Sequence, residues 1–129
     1  MYDGQRELFT LLWQKNPEPK VITLGFQISG EADLFKIHFP NMPIVPGACL
    51  LGLVLDQTEK WQSTKYDVDL VERANFRFPV TPGMRLELDL RLEALPENGQ
   101  FNLFFRYSNP QGHSTQGSLI LVEQRLEAA

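Results

Sequence analysis

The stretch that most constrains this chain is Ala48–Leu55, ACLLGLVL. It is apolar on every side, and a helix that is apolar all round belongs in the interior with other elements wrapped about it. The residues leading into it, HFPNMPIVPG from His38 to Gly47, carry one of only two histidines in the chain. Prolines at 40, 43 and 46 preset the backbone and remove amide donors, so the approach to the helix is stiff and non-helical. Gly47 then lets another group approach the backbone closely, at a helix start where free N–H groups point outward. A histidine facing the start of a buried helix suits acid–base chemistry on a carbonyl compound. The rest of the chain reads as wrapping.

Taken in order, Asp3–Lys15 places Leu8, Phe9, Leu11, Leu12 and Trp13 at mixed helical spacing, with Asp3 as a possible N-cap. This predicts a short amphipathic helix ended by Asn16-Pro17-Glu18-Pro19. Val21–Ser29 is rich in branched residues and reads as a strand. Gly30–Asp33 turns the chain, and Leu34–Phe39 is a short extended piece. The central helix is predicted from Gly47 to Trp61, with a break at Ser63–Lys65. Tyr66–Phe78 reads as one long strand, with Phe76 and Phe78 on one face and Arg73, Asn75 and Arg77 on the other. Pro79–Gly83 makes a corner. The clearest strand is Met84–Leu92, where Leu86, Leu88, Leu90 and Leu92 alternate strictly with Arg85, Glu87, Asp89 and Arg91. Turns at Pro96–Gly99 and Asn109–Gly112 bound strands at Gln100–Ser108 and His113–Gln124.

A chain of 129 residues is expected to form a single domain, 1–129, able to bury a real core. A net charge of −4 argues against nucleic acid as a partner, since phosphate binding needs clustered Lys and Arg. The single cysteine, Cys49, excludes an internal disulfide and fits a reducing compartment. MYDGQREL does not read as a signal peptide, and no apolar run is long enough for a membrane span. A cytoplasmic location is therefore the expectation.

These elements predict an α+β hot-dog fold: an antiparallel sheet wrapped around one long buried helix, with a short N-terminal helix. Open sheet edges make a homodimer the expectation. At the level of motif, His38-Phe39-Pro40, Pro43 and Pro46-Gly47 resemble the signature of the hot-dog 3-hydroxyacyl-[acyl-carrier-protein] dehydratases. The flanks ADLFKIHF and ANFRFPVTPGMRLELDL resemble that family too. The tail FRYSNPQGHSTQGSLIL is similar to the dehydratase-like proteins of aryl polyene synthesis. The resemblance runs over roughly Val21–Val122 and implies loss of water from a 3-hydroxyacyl thioester to give a trans-2-enoyl product. It implies His38 as base and the Gly47 N–H as the group that polarises the thioester carbonyl. Phe39, Pro46, Phe76 and Phe78 are its candidates for contact with the acyl chain. It implies an acyl carrier protein bearing a phosphopantetheine thioester as partner, and no cofactor or metal.

One position departs from the family. Its acid, a Glu or Asp five residues after the Pro-Gly glycine that works with the other protomer's histidine, is Gly52 here. A glycine moves no proton and weakens the helix by about 1 kcal/mol relative to Ala. Asp56 is a possible acid one turn further on, roughly 6 Å along the axis, though it also reads as a helix-end carboxylate facing water. Gly52 equally leaves room for a bulky conjugated or aromatic acyl chain. Of the remaining candidates, Cys49 reads as packing, His113 as solvated, and Phe101, Phe104, Phe105 and Tyr107 as core and dimer contacts. Three functions stand side by side: a dehydratase; an acyl-binding or partner subunit working beside an acid-bearing homologue; and, ranked last for want of an acidic nucleophile on the helix, a thioesterase.

Overall fold

A computed structural model describes residues 8–30 and 44–124. Among the described residues, six strands and one long helix follow one another: β1 (Phe9–Glu18), β2 (Val21–Ile28), α1 (Gly47–Gln62), β3 (Tyr66–Ala74), β4 (Arg85–Ala94), β5 (Gln100–Ser108) and β6 (Ser114–Glu123). The strands form a single sheet in the order β1-β2-β4-β5-β6-β3, antiparallel throughout. Its inner face wraps α1, which is the hot-dog arrangement.

Alternation decides which side chains face the helix. On β4, Leu86, Leu88, Leu90 and Leu92 are all buried, while Arg85, Glu87 and Arg91 are exposed. They share one core with Leu50, Leu53 and Val54 of α1, Leu24 and Phe26 of β2, and Leu103 and Leu119 from the far strands. Each such side chain contributes about 1.5–3 kcal/mol on burial. The β4-β5-β6 meander matches the sequence reading, with register pairs Leu90↔Phe105 and Leu103↔Leu119 joining inward positions. The helix also ends where the sequence breaks. Ser63 takes a left-handed conformation at its C-cap, and the Glu59 carboxylate accepts the Tyr66 N–H at 2.9 Å.

Three expectations are corrected. Over Phe9–Lys15 the predicted N-terminal helix is strand β1, which runs on through Pro17; Leu8 is helical, and residues 3–7 lie outside the described residues. Pairing with β2 wins here because it seats Phe9 edge-on against Phe26, at 6.3 Å between ring centroids. A register shift between Leu11 and Trp13 breaks the alternation and leaves Leu11, Leu12 and Trp13 as a consecutive run that mimics helical spacing. Pro17 is tolerated because β1 is an edge strand. Next, the predicted strand Tyr66–Phe78 ends as a ladder at Ala74. Beyond it the Arg77 N–H still reaches β6, donating to Thr115 Oγ1 at 2.9 Å. Finally, α1 is not buried all round. Ala48 is exposed, and Leu51, Gly52 and Leu55 are half-buried, on the side turned from the sheet. The predicted extended piece Leu34–Phe39, and most of the turn at Gly30–Asp33, fall outside the described residues.

Candidate functional site

The start of α1 is built from backbone. Pro46 sits at the N-cap in an extended conformation (φ −60°, ψ 146°), with no side-chain cap and no acidic residue in the first turn. The first N–H groups of a helix have no intrahelical acceptor. Here no carboxylate or hydroxyl of the cap offsets the positive end of the helix dipole, so the position favours an oxygen that carries negative charge. Val45 holds the approach in place, its N–H donating to Val80 O at 2.7 Å.

Gly47 is where the helix meets its aromatic cover. A Cβ added there would lie 3.0 Å from Cδ2 and Cε2 of Phe76. The Phe76 ring stacks on Phe105, with centroids 6.4 Å apart. Phe105 in turn lies where any side chain on Gly117 would sit, and meets Tyr107 edge-on at 6.2 Å. Tyr107 closes the chain of contacts by donating its phenol O–H to the Leu50 carbonyl at 2.6 Å. Burial pushes the Tyr107 phenol well above its ordinary range, which keeps it a donor. The helix start and its aromatic cover are thus held by β5 and β6, with Tyr107 as the tie.

The structure therefore brings Pro46, Gly47 and Phe76 together. Phe78 is buried two residues further on, with the His113 ring tilted against it at 6.1 Å. His113 itself is exposed, with Nδ1 3.4 Å from the Asn109 amide. His38 and Phe39 lie outside the described residues. Asp56 is elsewhere on α1, nine residues and about 13 Å along the axis from Gly47. Its carboxylate is not simply solvated: the side chain is only 20% exposed and pairs with Lys60 Nζ at 3.2 Å.

Asp56 lines a cleft of about 640 Å³ between α1 and the β1–β2 edge. Phe9, Ile22, Leu24, Phe26 and Leu53 make its apolar wall; Gln14, Asn16, Gln57 and Lys60 add polar groups. Gln57 is only 9% exposed. The sequence reading passed over Gln57 and gave Tyr107 only as a core or dimer contact, not as the tie to the helix. For Tyr107 a signal existed, since an inward tyrosine on an alternating strand must find an acceptor for its O–H. For Gln57 it did not. Among the described residues, no three His, Cys, Asp or Glu side chains gather as a metal site, and no helix is long and apolar enough to cross a membrane.

Comparison with known proteins places these features in context. The ApeI-like family, described as ApeI dehydratase, matches residues 14–118. The 3-hydroxyacyl-[acyl-carrier-protein] dehydratase FabZ of Helicobacter pylori (strain ATCC 700392 / 26695) is 36% identical over 93 residues, covering 62% of this chain and 57% of the relative. FabZ of Lactobacillus helveticus (strain DPC 4571) is 31% identical over 91 residues, covering 64% and 60%. The chain thus spans little more than half the length of these curated relatives. Among solved structures, the dehydratase heterocomplex ApeI:P from Xenorhabdus doucetiae superposes with a TM-score of 0.76 at 24% identity, over 88% of this chain and 97% of that one. A hypothetical thioesterase with coenzyme A from Streptococcus pneumoniae TIGR4 superposes at 0.67 with 6% identity, over 95% and 90%. At these identities the structural likeness concerns the fold alone.

Proposed function

The chain belongs to the ApeI-like dehydratases, and from that premise we propose that it removes water from 3-hydroxyacyl thioesters carried on acyl carrier protein, giving trans-2-enoyl thioesters. The observation that carries this reading is the uncapped start of α1 at Pro46-Gly47, packed under Phe76. A thioester carbonyl set against the Gly47 N–H is polarised by an amide and by the helix dipole, and the enolate that forms there is stabilised where its charge develops. His38 takes the proton from the carbon next to that carbonyl. The C3–oxygen bond then breaks, and the leaving oxygen takes a proton and departs as water.

Gly52 leaves the source of that second proton open to three suppliers: the protonated His38, an acid-bearing partner, or Asp56 through a bridging water. The partner reading has support from the ApeI:P neighbour, which is a dehydratase heterocomplex. The missing side chain at Gly52, half-buried on α1, supports a bulky conjugated or aromatic acyl chain of the kind used in aryl polyene synthesis.

The test is water loss from short, medium and aryl-ended 3-hydroxyacyl carrier thioesters, read by mass spectrometry with His38→Ala alongside. The expected result is turnover by the native chain and a fall of roughly 100-fold or more in the variant. No turnover in either direction, dehydration or hydration, by the chain alone and by the chain with an acid-bearing homologue would sink the reading. Turnover only with the homologue present would assign this chain the partner role.

A further inference from the structure

Behind Phe76, on the outer face of the sheet, the structure holds a second polar feature that the proposed chemistry does not use. The register pairs Arg73 with Ser118 and Ala74 with Gly117, and the Arg77 N–H bond to Thr115 Oγ1 carries that alignment past the end of β3. Successive side chains alternate between faces. Phe76 and Thr115 turn inward, while Arg73, Asn75 and Arg77 share the outer face with Ser114 and Gln116. Those five outer side chains line a small cavity of about 50 Å³.

Its chemistry is one-sided. Every lining side chain carries N–H or O–H donors and none carries a carboxylate. Among the described residues the ion pairs are Lys60–Asp56 and Lys65–Glu59, so neither arginine is neutralised by an acid. In a chain of net charge −4, two unpaired arginines around one socket are unexpected. The socket adjoins a wider groove of mixed charge that shares Arg73 and Gln116 and adds Arg91, Arg106 and the exposed Phe104 beside the carboxylates of Asp89 and Glu93, so the acid-free part is the socket itself. A guanidinium fork matches the oxygens of a phosphate group, and the amide and hydroxyl donors complete such a cradle. A cavity of about 50 Å³ exceeds the roughly 10–15 Å³ that one water needs, which leaves room for an oxyanion group.

We propose that Arg73 and Arg77, with Asn75, Ser114 and Gln116, form a subsite for the phosphate of a phosphopantetheine-type arm. The inference rests on the thioester reading above. It deepens that reading by placing the phosphate on one side of the 73–77 segment and the reacting carbonyl, under Phe76 at Gly47, on the other. The phosphate has two possible sources, the arm of a carrier protein or coenzyme A.

The test is direct binding, with no turnover required. Titration calorimetry on the full chain compares 4′-phosphopantetheine with pantetheine, which differ only in the phosphate. The expected result is roughly tenfold or greater preference for the phosphorylated arm, the size of one or two charge-assisted hydrogen bonds. Arg73→Gln and Arg77→Gln should each reduce that ratio and the double variant abolish it, with pantetheine binding unchanged. Arg77→Lys, which keeps the charge, should retain part of the preference. Equal binding of the two arms, undetectable binding of both, or a ratio that survives in the double variant overturns the proposal. Carrying the same variants through coenzyme A and holo-carrier protein identifies the source by which of the two loses affinity. A phosphate preference in a chain that dehydrates nothing would sustain the subsite and reject the dehydratase.

Discussion

Tyr107 links the helix to the sheet through one hydrogen bond. Its O–H donates to Leu50 O at 2.6 Å, and its ring supports Phe105, on which the Phe76 cover of Gly47 stacks. Tyr107→Phe keeps the ring and leaves the carbonyl with one acceptor site unused, so a loss of about 1 kcal/mol is expected in urea unfolding. The phenol also sets a pH limit. Burial raises the Tyr107 pKa well above its ordinary value. Tyr66 is raised as well, first by burial, with the Thr64 hydrogen bond working against the shift and Glu123 and Glu59 adding to it. Above about pH 10 the unfolded chain gives up these protons while the folded chain keeps them. The unfolded state then binds fewer protons, so stability falls as pH rises. The tyrosine contribution is whole below about pH 10 and is lost on the way up through the folded pKa. Unfolding curves between pH 9 and 11 should show Tyr107→Phe losing less stability over that window than the native chain; parallel losses would mean that this phenol is not what burial makes it.

The elements differ in how openly the sequence announces them. β4 is read at once, because Leu86 to Leu92 alternate with charges and each leucine finds the helix. α1 is equally legible, since Pro46-Gly47 opens it and the apolar run continues for two turns. β1 is hidden because its signal is pairing rather than pattern: a register shift at Leu11/Trp13 destroys the alternation, and the Trp13 indole lies over Gly25, where no side chain stands in its way. The site is legible in the same uneven way. Pro46 and Gly47 are local, and the sequence marks them. Phe76 over Gly47 needs the β3–β6 register, and Gln57 in its cleft needs β1, which the sequence hides. Within α1, Gly52 is the weak residue, because a helix-interior glycine forfeits about 0.5–1 kcal/mol relative to alanine. Gly52→Ala should raise stability by about that amount in urea unfolding. Where the glycine serves to give an acyl chain room, the same variant should turn over bulky aryl-ended thioesters more slowly relative to short ones. A stability gain with every substrate affected alike would remove the space argument and leave Gly52 as the mark of a lost acid.

At the scale of the molecule, the sheet ends among the described residues in two edges without a neighbouring strand, β1 and β3. They are not equivalent. β1 has Pro17, which lacks an amide donor, and Lys15, whose ammonium stands 5.0 Å from the Trp13 ring; prolines and lysines are common means of blunting an edge. β3 carries neither, and it presents Val68, Leu70 and Val71 to solvent at 42%, 54% and 45% exposure, much as β1 presents Leu11 and Leu12 at 46% each, so the proline and the lysine are what tell the edges apart. An edge with free backbone donors and acceptors and three aliphatic side chains is a template for another strand. Covering each of those side chains would contribute on the order of 1 kcal/mol beyond the backbone bonds. We therefore expect β3, rather than β1, to carry the chain's association with a second copy or with an acid-bearing homologue. Replacing Leu70 and Val71 by lysine sets four ammonium groups around the joint of a two-fold pair while burying nothing in the free chain. Sedimentation velocity at micromolar concentration should show the native chain as a dimer and the Leu70→Lys/Val71→Lys variant as a monomer with unchanged far-UV circular dichroism. Lysines placed at Leu11 and Leu12 of β1 should leave the dimer intact. The reverse pattern would move the interface to β1 and close the α1–β1 cleft that Gln57 lines. An interface at β3 instead leaves that cleft open and sets the Arg73 end of the phosphate socket beside the joint, so the monomeric variant should also lose part of its preference for the phosphorylated arm.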